Sequence, residues 1–345
     1  MSEAPIDRRS AVRASAPGAP RVAVILPAYG VAHLLGEALA SVQAQNFTNW
    51  ECIVIDDGAP DDVAAAVAPF LADVRFRFLA TPNQGVSAAR NQAIAESTAP
   101  LIALLDGDDL FRPGYLAAMV PLLEASPGIR LATCNAWIFG ALARERLCFE
   151  DKQGTGDGRR GSLADVLDRS FGVYIGSIFR RGDFEAVGGF DTAMAQSEDL
   201  DLWVRLMQLG GDAHYVDAVL ADYRVRAGSA SAHAPRMLMG NIKVYEKARA
   251  SLPADRPEHA VVDRMIAECR AAVDFEHAID LIIDGQTVRG LAGLRTAKSR
   301  FTGPVWAIAF ALWQLFPALA RPMLRRRRRA HSRGVQRGLL AGIRS

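Results

Sequence analysis

Cysteine is scarce in this 345-residue sequence, and its four cysteines form no closely spaced pair. Cys52, Cys134, Cys148 and Cys269 are far apart, and no CxxC motif occurs. This spacing predicts neither a disulfide framework nor a zinc site. We therefore expect a protein of the reducing cytoplasm.

The N-terminus lacks the apolar segment that a secretory signal peptide requires. Residues 1–20 are small, polar and basic, which predicts a disordered leader. We accordingly expect no export of the chain.

Acidic residues are absent from residues 321–345, which contain nine arginines. The whole chain has a formal net charge of +2, so the other 320 residues, with 31 basic and 38 acidic side chains, carry a net charge of −7. A basic tail on an acidic body predicts an anionic partner surface, either lipid headgroups or nucleic acid. The basic run matches no nucleic-acid-binding motif, so lipid is favoured and no nucleic acid is expected as a partner.

Apolar segments of two kinds alternate from residue 21 onwards. The run RVAVILP (21–27) is rich in Val and Ile and apolar on both faces, which is typical of a buried parallel strand, and a helical pattern follows it. The alternation predicts an α/β fold with a mostly parallel, Rossmann-like sheet that helices cover on both faces. Strands are predicted at 21–27, 51–55, 75–79, 101–105 and 130–139, and helices at 33–44, 62–71, 87–97, 115–123, 163–169 and 199–209.

Acidic residues follow two of the predicted strands. The first strand ends in Pro27-Ala28-Tyr29, the second in Asp56-Asp57-Gly58 and the fourth in Asp106-Gly107-Asp108-Asp109. Ligands of open parallel sheets bind beyond the carboxyl ends of the strands. We therefore predict that these three strand ends meet in one acidic crevice.

The DGDD segment has the residue types of a divalent cation site. In an extended turn, Asp106 and Asp108 point the same way, and a hard cation prefers carboxylate oxygens. Asp109 then points away or caps the next helix. The alternative is a plain turn, because Asp and Gly are common turn residues.

A second group of carboxylates opens the predicted helix at 199–209. Ser197, Glu198 and Asp199 precede an amphipathic segment, and a carboxylate here would serve as a general base. The alternative is helix capping, which favours the same residue types. The residues themselves do not choose between Glu198 and Asp199 as the base.

The C-terminal third is predicted to be helical. Residues 231–300 form a helical appendage, with an apolar stripe from Val262 to Ile283 and a cap at Gly285. Residues 301–345 hold an apolar aromatic helix and an Arg-rich tail. We expect this helix to lie on the cytoplasmic face of the membrane with its Trp residues at headgroup level. The alternatives are a helix docked on the core and a dimer contact.

Six motifs follow one another along the chain: VAVILPAYG (22–30), VIDDGAPDD (54–62), NQGVSAARNQAI (83–94), LIALLDGDDLFRPGYL (101–116), VGGFD (187–191) and SEDLDLWVRL (197–206). In type and order they resemble the motifs of family-two glycosyltransferases of the GT-A fold, a group that includes bacterial polysaccharide transferases. The resemblance covers residues 21–230 and implies an inverting transfer of a sugar from a nucleotide diphosphate donor to an acceptor hydroxyl, with Mn²⁺ or Mg²⁺ as cofactor. It also implies a role in cell-surface polysaccharide or glycolipid synthesis, with a glycan or lipid-linked acceptor.

The resemblance also implies a role for each candidate site residue. Asp108 is the metal ligand, Asp106 contacts the ribose or the metal, and Asp199 is the general base with Glu198 beside it. Among the residues that would bind the nucleotide sugar, Pro27, Tyr29 and Asp57 would line the base pocket, and Asp57 would hydrogen-bond the base. Arg90 would approach the donor.

One position departs from the family pattern. Many relatives carry a His where this chain has Arg226, and an Arg cannot ligate a metal although its charge would suit a diphosphate.

Two other enzyme classes and a binding module are the alternatives. PAYGVAHLLG replaces the GxGxxG loop of a nucleotide-dependent dehydrogenase, and the basic Gly-rich loop of a sugar nucleotidyltransferase is also absent. A non-catalytic sugar-nucleotide binding module remains as an alternative to an enzyme.

Overall fold

The computed structural model describes residues 18–142, 144–150, 159–226, 234–297 and 304–333. Most of the predicted leader, residues 151–158 and the end of the Arg-rich tail lie outside these residues.

A single mixed sheet organises the described part of the N-terminal two thirds of the chain. Its order is β3-β2-β1-β4-β9-β6-β10-β5, with β7 beside β6 and β8 beside β10. The strands are β1 (Val22–Ala28), β2 (Trp50–Asp57), β3 (Phe76–Thr81), β4 (Leu101–Leu104), β5 (Leu110–Phe111), β6 (Ile129–Gly140), β7 (Arg146–Leu147), β8 (Arg160–Gly161), β9 (Ile178–Arg180) and β10 (Asp212–Val225).

The predicted mostly parallel sheet is confirmed. β1 pairs in parallel with β2 and β4, β2 with β3, and β6 with β10. Only the short β9 among the central strands is reversed, since it runs antiparallel to both β4 and β6. The six long strands therefore share one direction, and their carboxyl ends lie at one edge.

Helices cover both faces of the sheet and form the C-terminal part of the described chain. The helices are α1 (Ala32–Gln43), α2 (Val63–Val67), α3 (Val86–Glu96), α4 (Tyr115–Ala125), α5 (Leu163–Leu167), α6 (Arg181–Ala186), α7 (Glu198–Gln208), α8 (Ala234–Ser251), α9 (Glu258–Ile283), α10 (Thr287–Thr296), α11 (Pro304–Leu315) and α12 (Ala320–Arg333). Short 3₁₀ turns follow α2 and α11.

Strand alternation divides the core into two layers. Val22, Val24 and Leu26 of β1 belong to the layer that α1 and α4 cover, whereas Ala23 and Ile25 belong to the layer under α3 and α7. Successive side chains of a strand point to opposite faces, so a strand that is apolar throughout needs a cover on each side. The second layer continues into α8 and the first half of α9. The domain boundary near residue 230 stays a prediction.

The C-terminal helices form a third apolar cluster with the second half of α9 and with α10. Gly285 (φ +95°) follows α9, and the amide of Gln286 donates to the Leu281 carbonyl, as the predicted glycine cap requires. The predicted apolar helix is broken at Phe316 and Pro317 into α11 and α12. Among the described helices, none has the length and apolar character needed to cross a bilayer.

Candidate functional site

The loop after β4 carries the DGDD segment against the end of β1. A Cβ atom on Gly107 would lie 2.9 Å from Val31 Cγ2 and 3.1 Å from the Pro27 carbonyl oxygen. Only glycine allows this approach, so the middle residue of the motif brings its two aspartates beside the first strand.

Arg90 of α3 links the two groups of carboxylates that the sequence singled out. Its Nη2 donates to Asp106 Oδ1 at 2.7 Å, and its Nη1 donates to Glu198 Oε1 at 2.9 Å. The Arg90 side chain is only 3% exposed, and the Phe190 ring lies 5.4 Å from its guanidinium carbon. A buried cation thus ties the end of β4 to the start of α7.

Asp108 is engaged by Arg226, the residue that departs from the family pattern. Arg226 Nε donates to Asp108 Oδ2 at 2.5 Å. Burial and the Asp106 carboxylate raise the pKa of Asp108, whereas Arg226 acts in the opposite direction. The arginine therefore favours the ionised form of a carboxylate that burial would otherwise protonate.

Asp109 does not cap the next helix, because α4 begins without a side-chain capping bond, so the capping expectation was wrong. It is buried, accepts a hydrogen bond from Tyr174 Oη at 3.0 Å and accepts another from the Arg224 amide at 2.8 Å. Burial, with Asp106 and Asp108 nearby, raises its pKa well above the usual range. Asp109 fastens the loop to β10 because a buried carboxyl needs polar partners.

Asp57 and Asp61 organise the loops that follow β3 and β1. Both Asp57 oxygens accept backbone N–H bonds, from Gln84 at 2.8 Å and Gly85 at 2.9 Å. The Asp61 carboxylate accepts from the amides of Gly30 and Ala32 at 3.0 and 2.6 Å.

Both side chains therefore hold neighbouring loops in place. Pro27 is half-buried at the end of β1, and Tyr29 just beyond it is 54% exposed. The structure thus brings the predicted base-pocket residues to one rim, and sequence reasoning missed Asp61.

The start of α7 contradicts the capping alternative for Ser197. Ser197 has a left-handed backbone (φ 59°), its side chain makes no capping bond, and its hydroxyl donates to Asn241 Oδ1 at 2.8 Å. A left-handed non-glycine residue is uncommon and is held by its surroundings. Asp199 is half-buried and accepts from the Leu200 amide at 2.7 Å.

Glu198 differs from Asp199 in that it accepts a hydrogen bond from Arg90 Nη1 at 2.9 Å. Burial and the adjacent Asp199 raise the pKa of Glu198, and Arg90 opposes that rise. The structure therefore separates two carboxylates that the sequence could not distinguish.

The VGGFD turn is joined to α3 by a side chain that sequence reasoning missed. Asn91 Nδ2 donates to the Phe190 carbonyl, its Oδ1 accepts from the Phe190 amide, and both distances are 2.8 Å. Gly189 (φ +77°) lies against the same amide, because a Cβ there would lie 2.9 Å from Asn91 Oδ1. The only signal was the position of Asn91, directly after Arg90.

Asp106 and Asp108 have the ligand chemistry of a hard cation, although each is paired with an arginine. No group of three or more potential metal-ligating side chains occurs among the residues that the structure describes. Magnesium-type ions are commonly held by one or two carboxylates and take further ligands from substrate phosphates and water. Two carboxylates fit that pattern, since each oxygen carries more than one lone pair.

A known protein family and several known proteins match this chain in sequence. The family model described as Glycosyl transferase family 2 matches residues 23–188. The succinoglycan biosynthesis protein ExoU of Rhizobium meliloti is 30% identical over 75% of this chain and 78% of its own length. This chain belongs to glycosyl transferase family 2.

Solved structures with the GT-A fold are similar to this chain. TarS of S. aureus (residues 1–349), solved with UDP-GlcNAc, superposes with a TM-score of 0.61 at 16% identity over 90% of this chain and 88% of that one. The mannosyltransferase PcManGT of Pyrobaculum calidifontis, solved with GDP-Man and Mn²⁺, gives 0.57 at 20% identity over 94% and 86%.

Several other proteins that are similar to this chain are much longer than this chain. The matched segments span only 17 to 23% of their length, and some of these relatives are uncharacterised glycosyltransferases of Rickettsia.

Proposed function

We propose that this chain transfers a sugar from a nucleotide diphosphate donor to an acceptor hydroxyl, with inversion at the anomeric carbon. The observation that carries this proposal is the bridge through Arg90, which joins Asp106 at the end of β4 to Glu198 at the start of α7. A transferase needs a donor site and a base on opposite sides of one reacting carbon. The bridge supports a fixed distance between a donor side at Asp106 and an acceptor side at Glu198, because both carboxylates are bound to the same buried Arg90 guanidinium.

On the donor side, the nucleotide base would lie at the rim formed by Pro27, Tyr29 and Asp57. The carboxylate of Asp57 has both oxygens on backbone amides, yet an oxygen with two lone pairs can accept a second bond from a base N–H. Arg90 would approach the donor through Asp106, since its guanidinium is buried.

Asp106 and Asp108 would hold a Mn²⁺ or Mg²⁺ ion together with the donor diphosphate. When bound, such an ion supplies positive charge to the departing diphosphate. Arg226 lies on Asp108, so its guanidinium would add positive charge to the same region. Asp108 would then have an arginine and a cation as its two positive neighbours.

On the acceptor side, Asp199 would be the general base. It would take the proton of the acceptor hydroxyl while the hydroxyl oxygen bonds to the anomeric carbon and the bond from that carbon to the diphosphate oxygen breaks. Glu198 has an oxygen committed to Arg90, which favours its neighbour for this role. Attack opposite to the leaving group inverts the anomeric carbon.

The relatives and the charge pattern support a product class and a place of reaction. A relative that covers three quarters of this chain acts in succinoglycan biosynthesis, which supports a role in cell-surface polysaccharide or glycolipid synthesis with a glycan or lipid-linked acceptor. We place the reaction at the inner face of the cytoplasmic membrane.

Product formation by purified protein tests the proposal. UDP- and GDP-sugars are offered with a lipid extract and Mn²⁺ or Mg²⁺, and transfer and donor hydrolysis are both measured. Asp108→Ala should abolish turnover and leave the melting temperature close to wild type, whereas Asp255→Ala, an exposed carboxylate between α8 and α9, should leave turnover unchanged. Full activity of Asp108→Ala in excess chelator would overturn the metal site, and nucleotide binding without any turnover would indicate a binding module.

A further inference from the structure

The outer face of the C-terminal helices is apolar and exposed. On α11 the exposed residues are Ala307, Ile308, Ala311 and Leu315, which are spaced to lie on one side of a helix. Exposed apolar residues continue through the turn and into α12. The larger side chains with their exposed fractions are Ile308 (68%), Leu315 (75%), Phe316 (58%), Leu319 (42%) and Met323 (42%).

The opposite face of the same helices is buried in the protein. Trp313 is 2% exposed and Trp306 half-buried, their rings lie 6.0 Å apart, and Trp306 contacts Phe275 of α9. The expectation that the Trp residues lie at headgroup level was therefore wrong for Trp313. The helices are anchored to α9 and α10 by these rings, and the exposed face has no apolar partner in the described part of the chain.

The charged residues of the sequence segment that forms this face are all basic. The 61 residues after Asp284 contain 13 Arg and Lys and no Asp or Glu. Arg321 and Arg325 both donate to the Ile283 carbonyl at the end of α9, a favourable place for cations beside a helix C-terminus. Arg326 is exposed and begins the rest of the run that ends at Arg329.

We propose that Ile308, Leu315, Phe316, Leu319 and Met323 form a docking surface for an anionic lipid bilayer, with the adjacent arginine run on the lipid phosphates. This proposal deepens the proposed membrane location and does not depend on the transfer reaction. An exposed apolar face inserts into the boundary between headgroups and acyl chains, and a basic cluster beside it adds electrostatic attraction to anionic lipids. Two such signals are what stable peripheral binding requires.

Charge disfavours a second copy of this chain as the occupant. A twofold interface uses the same patch on both subunits, so it would bring two arginine runs together, and residues 285–345 of each copy contain no acidic residue to offset them. Nucleic acid is disfavoured as well, because five large apolar side chains would face a charged backbone and Phe316 alone among them could stack on bases.

Vesicle binding of the full chain tests the surface. Wild type should bind vesicles containing phosphatidylglycerol and bind pure phosphatidylcholine at least about tenfold more weakly. The double change Leu315→Ser and Phe316→Ser should reduce binding to the anionic vesicles at least about tenfold. The matched control is Leu71→Ser with Val74→Ser, which removes two exposed apolar side chains far from the C-terminal helices in sequence and should bind as wild type does.

A second variant separates the electrostatic contribution from the apolar one. It carries the four changes Arg326→Gln, Arg327→Gln, Arg328→Gln and Arg329→Gln. This variant should lose its preference for anionic vesicles and retain weak binding to phosphatidylcholine. Melting temperature and nucleotide binding, measured on every variant, show that the fold is intact. Point changes are preferable to removal of residues 301–345, because that deletion would uncover the apolar cluster on α9 and α10.

Three results would overturn the docking surface. The first is wild-type protein that binds neither vesicle. The second is a Leu315→Ser and Phe316→Ser protein that binds as tightly as wild type. The third is a dimer that the same double change dissociates. None of these results bears on the transfer reaction, which product formation tests separately.

Discussion

The sharpest prediction separates the two carboxylates at the start of α7. Asp199→Asn should lower turnover by about 10² to 10⁴, the usual contribution of general acid–base catalysis, because an amide cannot accept the proton of the acceptor hydroxyl. The amide oxygen can still accept from the Leu200 amide, as Asp199 does at 2.7 Å. Ser197 makes no capping bond that the change could disturb. We therefore expect the melting temperature and the nucleotide affinity to remain close to wild type.

Glu198→Gln should show the opposite pattern. Its carboxylate lies 2.9 Å from a guanidinium that is 3% exposed, and an amide there keeps a hydrogen bond but loses the charge. A hydrogen bond to a charged group contributes about 1.5–3 kcal/mol, and Arg90 retains Asp106 as a partner. We expect a loss of about 1–3 kcal/mol in the free energy of unfolding and a smaller loss of turnover than for Asp199→Asn.

Turnover, donor affinity by calorimetry and melting temperature are measured for both variants, with Asp255→Asn as the exposed control. A nearly wild-type turnover of Asp199→Asn would refute its assignment as the base. If instead Glu198→Gln loses turnover while its melting temperature is unchanged, Glu198 is the base, and the reasoning from its pairing with Arg90 is wrong.

Three further predictions concern binding, stability and thiol chemistry. Asp57→Ala should weaken UDP or GDP binding by about 1–3 kcal/mol, and an unchanged dissociation constant by calorimetry would place the pocket elsewhere. The raised pKa of Asp109 means that the folded chain binds more protons than the unfolded chain above the ordinary value of about 3.9, so stability falls as the pH rises through that window. Asp109→Asn should remove this fall and stabilise the protein near neutral pH, and urea unfolding curves with the same pH dependence for both proteins would contradict it. Cys134 is buried, and burial raises its pKa to about 12, so iodoacetamide should alkylate it only after unfolding, and rapid alkylation of Cys134 in native protein would refute this.

The sequence by itself determined the order of strands and helices and the edge at which the acidic residues gather. Apolar periodicity is local, and the carboxyl ends of parallel strands must share an edge. For this reason the DDG turn after β2 and the DGDD loop after β4 could be assigned to one edge of the sheet without coordinates. The cap at Gly285 could be predicted for the same reason, because it depends only on the last turn of α9.

Only the tertiary structure decided which side chains contact one another at that edge of the sheet. Arg90 and Glu198 are 108 positions apart, and Arg226 and Asp108 are 118 apart. Such contacts depend on how the two halves of the sheet join across the reversed strand β9, and periodicity carries no information about that. Asp109 illustrates the point, because a residue type that usually caps helices is buried here against Tyr174.

For the C-terminal helices, too, the sequence determined one part of the result and the tertiary structure another. The sequence showed an apolar stretch beside a basic run, which favoured a membrane contact and left a helix docked on the core as an alternative. Packing against α9 and α10 buries one face, with Trp313 in it, and leaves Leu315 and Phe316 exposed. When a helix is apolar nearly all round, its sequence does not indicate which face is buried. The helices that pack against it in the fold determine that face.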